Sequence, residues 1–203
     1  MRRSWTTAVR ERIETELPLE NALPDRQPAF VRSTVYLFGV GTLASLLTVI
    51  GSGLVLAIFG PGWWHTTTVG AFVNSVHLFS VQLMFLFLAL HFFAQLVMAT
   101  WRRGRGVTWM IGAFSFFAAI VAAFTGYASQ TNFEAQWIAV SAKDGFNAIG
   151  VGSLFNTLNT GQMLALHVAV LPAALSLLVA WHVVLVRRRG VSPPIEDGEE
   201  MRP

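Results

Sequence analysis

The chain has 203 residues, of which 54% are hydrophobic and only 12% charged. A water-soluble domain carries about 25% charged residues, so this balance excludes that class and points to an integral membrane protein with one compact helical domain. There is no cysteine, which excludes a disulfide framework, a thiolate metal site and covalent thioether attachment of a cofactor.

In chain order, residues 1–32 form a polar arm with six arginines, four glutamates and one aspartate. The arm lacks the apolar core of a secretory signal. Within it, Ser4 to Leu17 reads as a short amphipathic helix, capped by Ser4 or Thr6, with Trp5, Val9, Ile13 and Leu17 on one face. It either lies on the membrane surface or packs on a partner. Four apolar runs follow, each near the ~20 residues that a bilayer requires: Thr34 to Phe59, Val69 to Trp101, Val107 to Ser129 and Gly161 to Val186. The expected domain is 33–190, an all-α membrane four-helix bundle. The tail 191–203 is polar and proline-rich and is expected to be flexible.

Thirteen of the 14 Lys and Arg residues fall in the N-terminal arm, in the connection between spans two and three, or after span four. If four helices alternate direction, those thirteen share one side and only Lys143 lies on the other. By the positive-inside rule both termini are expected in the cytoplasm, with the chain in the cell membrane. The same distribution accounts for the net charge of +3 without nucleic acid as a partner. Of the two outer connections, Gly60 to Thr68 carries Trp63 and Trp64, which suit an interfacial belt. The other, Gln130 to Thr160, is long enough to hold its own helix, expected at Asn132 to Val140.

Ionisable groups within a membrane span are costly and ordinarily functional. Span two carries His77 and His91; span four carries His167 and His182. At 3.6 residues per turn, a separation of 14 returns a side chain to the same face, and a separation of 15 does so loosely. The two members of each pair stand ~21 to 22 Å apart along the helix. Spans two and four run in the same direction, so His77 pairs in depth with His167 near the outer face, and His91 with His182 near the inner face. Two imidazoles facing each other at each depth suit a flat macrocycle held edge-on, its iron ligated above and below, an arrangement for electron transfer. Zinc suits the pattern poorly, because four ligands would have to converge on one point. The bland alternative is an interhelical hydrogen bond from each histidine. His65, in the first outer connection, reads as a surface residue.

The glycines repeat the step. Gly39 and Gly53 in span one, and Gly112 and Gly126 in span three, are each 14 apart. Glycine lets a flat ligand or a neighbouring helix approach the backbone, so spans one and three are expected to wall what spans two and four ligate.

Together these features resemble the N-terminal four-helix half of cytochrome b. The likeness rests on H-x13-H in span two and on H-x14-H with Pro172 in span four. It also rests on the two glycine pairs, with TW-x2-G and TGY between Thr108 and Tyr127, and on the exit RRRGVSPP. The 14-residue gap in span four resembles the short, split form found in photosynthetic complexes. The resemblance implies two non-covalent b haems, the outer on His77 and His167 and the inner on His91 and His182, with quinone or quinol as substrate. It implies a second membrane subunit supplying the missing half, an iron–sulfur (Rieske-type) partner and a possible homodimer. No residue of this chain is expected to be catalytic alone.

The departures mark a divergent member. Where the family commonly carries arginines near its histidines, this chain has Asn74, Leu78, Ala94 and the run TGQML. Haem propionates would then fall to Asn74, Gln82, Gln95, Gln162, backbone or a partner. This keeps open a second reading, a haem b anchor linking a soluble dehydrogenase or reductase to the quinone pool. A haem-free membrane scaffold is the third. No nucleophile–base set for hydrolysis occurs in the spans.

Overall fold

The computed structural model describes residues 5, 9, 11, 12, 34–130 and 132–193. Among the described residues there are helices and no strands. Helices α1 (Thr34–Thr66), α2 (Thr68–Val97) and α3 (Gly106–Ala128) are followed by α4 (Phe133–Ala148). The last span comprises α5 (Thr160–Ala165), a π-helical turn (Leu166–Val170) and α6 (Leu171–Arg189). Four of these helices, with Thr160–Arg189 counted as one, are long and apolar enough to cross a membrane. Of the N-terminal arm, Trp5, Val9, Glu11 and Arg12 are helical. Ser4, Thr6, Ile13 and Leu17 lie outside the described residues, as does the tail beyond Pro193.

A helix in hydrocarbon must satisfy every polar group internally. In α1 the hydroxyls of Thr42, Ser45 and Ser52 donate back to the carbonyls of Phe38, Gly41 and Thr48 at 2.9, 2.8 and 2.7 Å. Asn132 caps α4 by accepting from the Ala135 amide at 2.9 Å, and Asn159 caps α5 through the Gln162 amide at 2.9 Å.

The main packed pairs are α1 with α2 and α3 with α6, whereas the histidine-bearing spans α2 and α6 do not pack closely on each other. One small core ties all four spans together. Leu46, Met84, Ala119 and Leu175 are buried as one cluster. Leu46 stands seven residues from both Gly39 and Gly53, Met84 seven from both His77 and His91, and Ala119 seven from both Gly112 and Gly126. The core is therefore a single layer at mid-depth, with a histidine–glycine level above it and another below. A second cluster, Ala128, Ala139 and Met163, fastens α3, α4 and α5 together at one end.

Three expectations are corrected. The first outer connection is not an open loop: Gly60, at φ 75°, kinks the chain and helix resumes at Pro61 through Thr66. Only Thr67 then separates α1 from α2. Its hydroxyl donates to the Trp63 carbonyl at 2.8 Å and accepts from the Gly70 amide at 3.0 Å. The helix of the second outer connection runs on to Ala148 rather than stopping near Val140. The start of the tail is held rather than free, with Ser192 buried and its carbonyl accepting from the Tyr36 hydroxyl at 2.8 Å.

Candidate functional site

The bundle brings the four span histidines to two levels. His77, near the start of α2, and His167, near the start of the last span, share the end that carries α4. Their ring centres are 6.2 Å apart with planes at 86°. His91 and His182 share the arginine-bearing end. All four rings are partly buried. His65 is exposed beside Trp64 and belongs to neither level.

Each ring lies against one of the four glycines. A Cβ built on Gly39 would stand 3.1 Å from His91 Cε1, one on Gly53 3.0 Å from His77 Cε1, and one on Gly112 2.8 Å from His182 Cε1. On Gly126 it would overlap the His167 ring. The glycines therefore seat imidazoles, a more specific task than the general wall expected from their spacing.

The hydrogen bonds follow the same geometry. His77 Nδ1 meets the Val49 carbonyl at 3.1 Å, His167 Nδ1 the Ala122 carbonyl at 2.8 Å, and His182 Nδ1 the Thr108 carbonyl at 3.0 Å. Each of these carbonyls is four residues before the ring's glycine, so it already accepts that glycine's amide in the helix ladder. Without a Cβ beside it, its second lone pair is open to the imidazole. A carbonyl can only accept, so Nδ1 carries the proton in all three rings. Nε2 is left with a free lone pair, the tautomer that suits a metal ligand oriented by its second nitrogen. His91 Nδ1 has no hydrogen-bond partner among the described residues.

Two imidazoles per level cannot complete a metal ion's shell by themselves. Among the described residues no group of three or more His, Asp or Glu side chains could hold a metal. A haem, which takes two nitrogen ligands from the protein, would fit a donor set of two facing imidazoles.

Asn74 lies half-buried one turn before His77, and Gln95 half-buried one turn after His91, whereas Gln82 is exposed. Gln162 is corrected as a propionate partner. Its amide donates to the Leu154 carbonyl at 2.8 Å and its oxygen accepts from the Asn156 amide at 2.8 Å, so both ends are committed to the loop. An apolar cleft of about 420 Å³ opens between α3 and α4, lined by Val121, Phe124, Phe146 and Phe155 among others. Phe146 and Phe155 were not foreseen from the sequence; Trp137, on the same helix as Phe146, is exposed.

Known proteins resemble the chain in sequence and in fold. The family model described as cytochrome b(N-terminal)/b6/petB matches residues 82–202, a stretch that includes His91, His167 and His182. The cytochrome b6 of Heliomicrobium gestii is 28% identical over 137 residues, 62% of this chain and 64% of that protein. The cytochrome b6 of Oltmannsiellopsis viridis is 24% identical over 91% of this chain and 96% of its own length. The menaquinol:cytochrome c reductase cytochrome b subunit of Bacillus subtilis is 24% identical over 79% and 82% respectively. A solved chain of a hyperthermophilic respiratory Complex III shares the fold with a TM-score of 0.72 at 20% identity. The alignment covers 95% of this chain and 57% of that one, so the chain spans little more than half of that neighbour and 64% of the first relative. With four apolar spans and a family match over more than half its length, the chain is an integral membrane protein of the cytochrome b N-terminal/b6 family.

Proposed function

We propose that this chain is the dihaem subunit of a bc-type quinol-oxidising complex in the cell membrane, passing electrons between quinone/quinol and partner redox centres. When bound, the two haems supply one-electron transfer at iron. His77 and His167 would hold the outer group, His91 and His182 the inner. Gly53, Gly126, Gly39 and Gly112 seat these rings. The Val49, Ala122 and Thr108 carbonyls hold the Nδ1 protons, so that three Nε2 lone pairs stay free to ligate. Leu46, Met84, Ala119 and Leu175 keep the two levels apart. Asn74, one turn from His77, is the nearest candidate in sequence for a polar contact to the outer group. The observation that carries the reading is the facing His77–His167 pair, 6.2 Å apart, with each ring against its glycine.

The arginine-bearing end is taken as cytoplasmic, with both termini there. The apolar cleft between α3 and α4 then opens at the outer end, and its aromatic lining suits a quinol ring. The rest of that site, and an iron–sulfur partner, would come from other subunits, including a second membrane chain. The relatives' names favour this over an anchor for a soluble dehydrogenase. A homodimer is the assembly we expect.

A pyridine haemochrome assay on the purified chain should give two b haems, and His91→Ala should give one. A wild-type count of zero or one, or a His91→Ala count of two, overturns the reading.

A further inference from the structure

Ser52 sits at the level of the outer pair with a geometry that its helix alone does not explain. Its hydroxyl lies 2.7 Å from the Thr48 carbonyl and 3.1 Å from the Val49 carbonyl, and its oxygen is 3.1 Å from His77 Nδ1. Both carbonyls can only accept, so the hydroxyl proton goes to one of them and the oxygen's lone pairs are left for the ring. His77 Nδ1–H is therefore shared between two acceptors, Ser52 Oγ and the Val49 carbonyl, each at 3.1 Å. His167 and His182 have one acceptor each, and His91 has none among the described residues. The outer pair thus has three acceptors and the inner pair one.

We propose that Ser52 is a positioning residue that lowers the reduction potential of the outer haem relative to the inner one. The proposal rests on the dihaem reading above. An acceptor on Nδ1–H draws that proton outward and makes Nε2 a stronger donor, which favours ferric over ferrous iron. The proton stays on the ring in both states. The two states differ by one electron, supplied in a titration by dithionite and removed by ferricyanide. Unequal acceptors at the two levels bias electrons away from the outer site and toward the inner. The acceptors at His167, His182 and His77–Val49 are backbone carbonyls present whatever the side chain. Among the described residues Ser52 is the one side-chain acceptor, so it is the adjustable element.

The test is a spectroscopic redox titration of the b-type absorbance of the purified chain, with haem counted by pyridine haemochrome. Wild type should show two components. Ser52→Ala should raise the midpoint of the lower one only, by a change of up to about tenfold in its ferric/ferrous ratio, ~59 mV for one electron. Ser52→Thr, which keeps the hydroxyl, should restore it. If Ser52→Ala fails to load haem, Ser52→Cys serves instead; its weak acceptor should give a smaller rise of the same component. An unmoved lower midpoint, a shift of the higher one, or an equal shift of both, with two haems still counted, overturns the role of Ser52. A wild-type count other than two overturns the dihaem reading instead.

Discussion

At the scale of single residues, the glycines divide by how much room their imidazoles have. The inner level offers a controlled comparison, because Gly39 and Gly112 face the two rings of one pair. At Gly112 a Cβ would come to 2.8 Å of His182, closer than real Cβ contacts allow. That ring cannot slide away without losing its 3.0 Å bond to the Thr108 carbonyl. At Gly39 the nearest contact is 3.1 Å, and His91 is tied by no hydrogen bond among the described residues. Alanine at that position also gains about 1 kcal/mol of helix propensity. Gly112→Ala is therefore expected to weaken inner-haem binding about tenfold or more, the range seen when a ligand's supporting group is disturbed. Gly39→Ala should keep near-full occupancy. Haem per chain, measured after dilution in detergent, separates the two; equal losses would mean that ring anchoring plays no part.

At the scale of elements, the last span reconciles two spacings. His77 and His91 are 14 residues apart, His167 and His182 are 15, and yet the rings meet level for level. The extra residue is absorbed by the π-helical turn Leu166–Val170, which contains His167. Pro172 stands just beyond it and has no amide to give the Val168 carbonyl, which removes one α-helical bond at that point. Deleting Ala169 together with Pro172→Ala should convert the segment to continuous α-helix with 14-residue spacing and keep two haems. Inserting one alanine after Ala169 should instead swing His167 by about 100° and lose the outer haem; retention of both in the insertion variant would refute the bulge as the register device. The sequence disclosed the periodic features: four apolar runs, both histidine levels and the 14-residue glycine step all follow from 3.6 residues per turn. It did not disclose the π turn, because a residue count cannot distinguish a loosely matched face from a bulge. It also missed the continuation of helix past Gly60 and the pairing of each carbonyl with its glycine, which depend on how neighbouring helices meet. Gln162 looked available because its loop bonds to Leu154 and Asn156 are made within a turn that has no apolar period.

At the scale of the molecule, the two ends are closed differently. The α4 end is fastened by apolar packing of Ala128, Ala139 and Met163, with Thr157 donating to the Ala139 carbonyl and Lys143 to the Gly152 carbonyl. The arginine end is fastened by cations on backbone carbonyls. Arg102, only 6% exposed, donates to the Met98 carbonyl at 2.6 Å and to the Pro193 carbonyl at 2.9 Å. Arg105 reaches the Arg189 carbonyl at 3.2 Å, and Arg189 reaches back to the Gly104 carbonyl at 3.2 Å. Tyr36 completes the closure on Ser192, so α1, the α2–α3 turn and the chain's exit are held together. His182 lies seven residues before Arg189, and its carbonyl partner Thr108 follows the α2–α3 turn directly, so loosening this end reaches the inner level first. A hydrogen bond from a charged donor contributes about 1.5–3 kcal/mol, a neutral one about 1. Arg102→Ala should therefore cost more stability than Tyr36→Phe. In a thermal melt followed by b-type absorbance, Arg102→Ala should release the inner haem at a lower temperature than the outer, while Tyr36→Phe should shift the melt only slightly. Arg102→Lys, with one ammonium in place of a planar fork, should not restore both bonds. Simultaneous loss of the two haems in Arg102→Ala would mean that the mid-depth core couples the levels more tightly than a single buried layer implies.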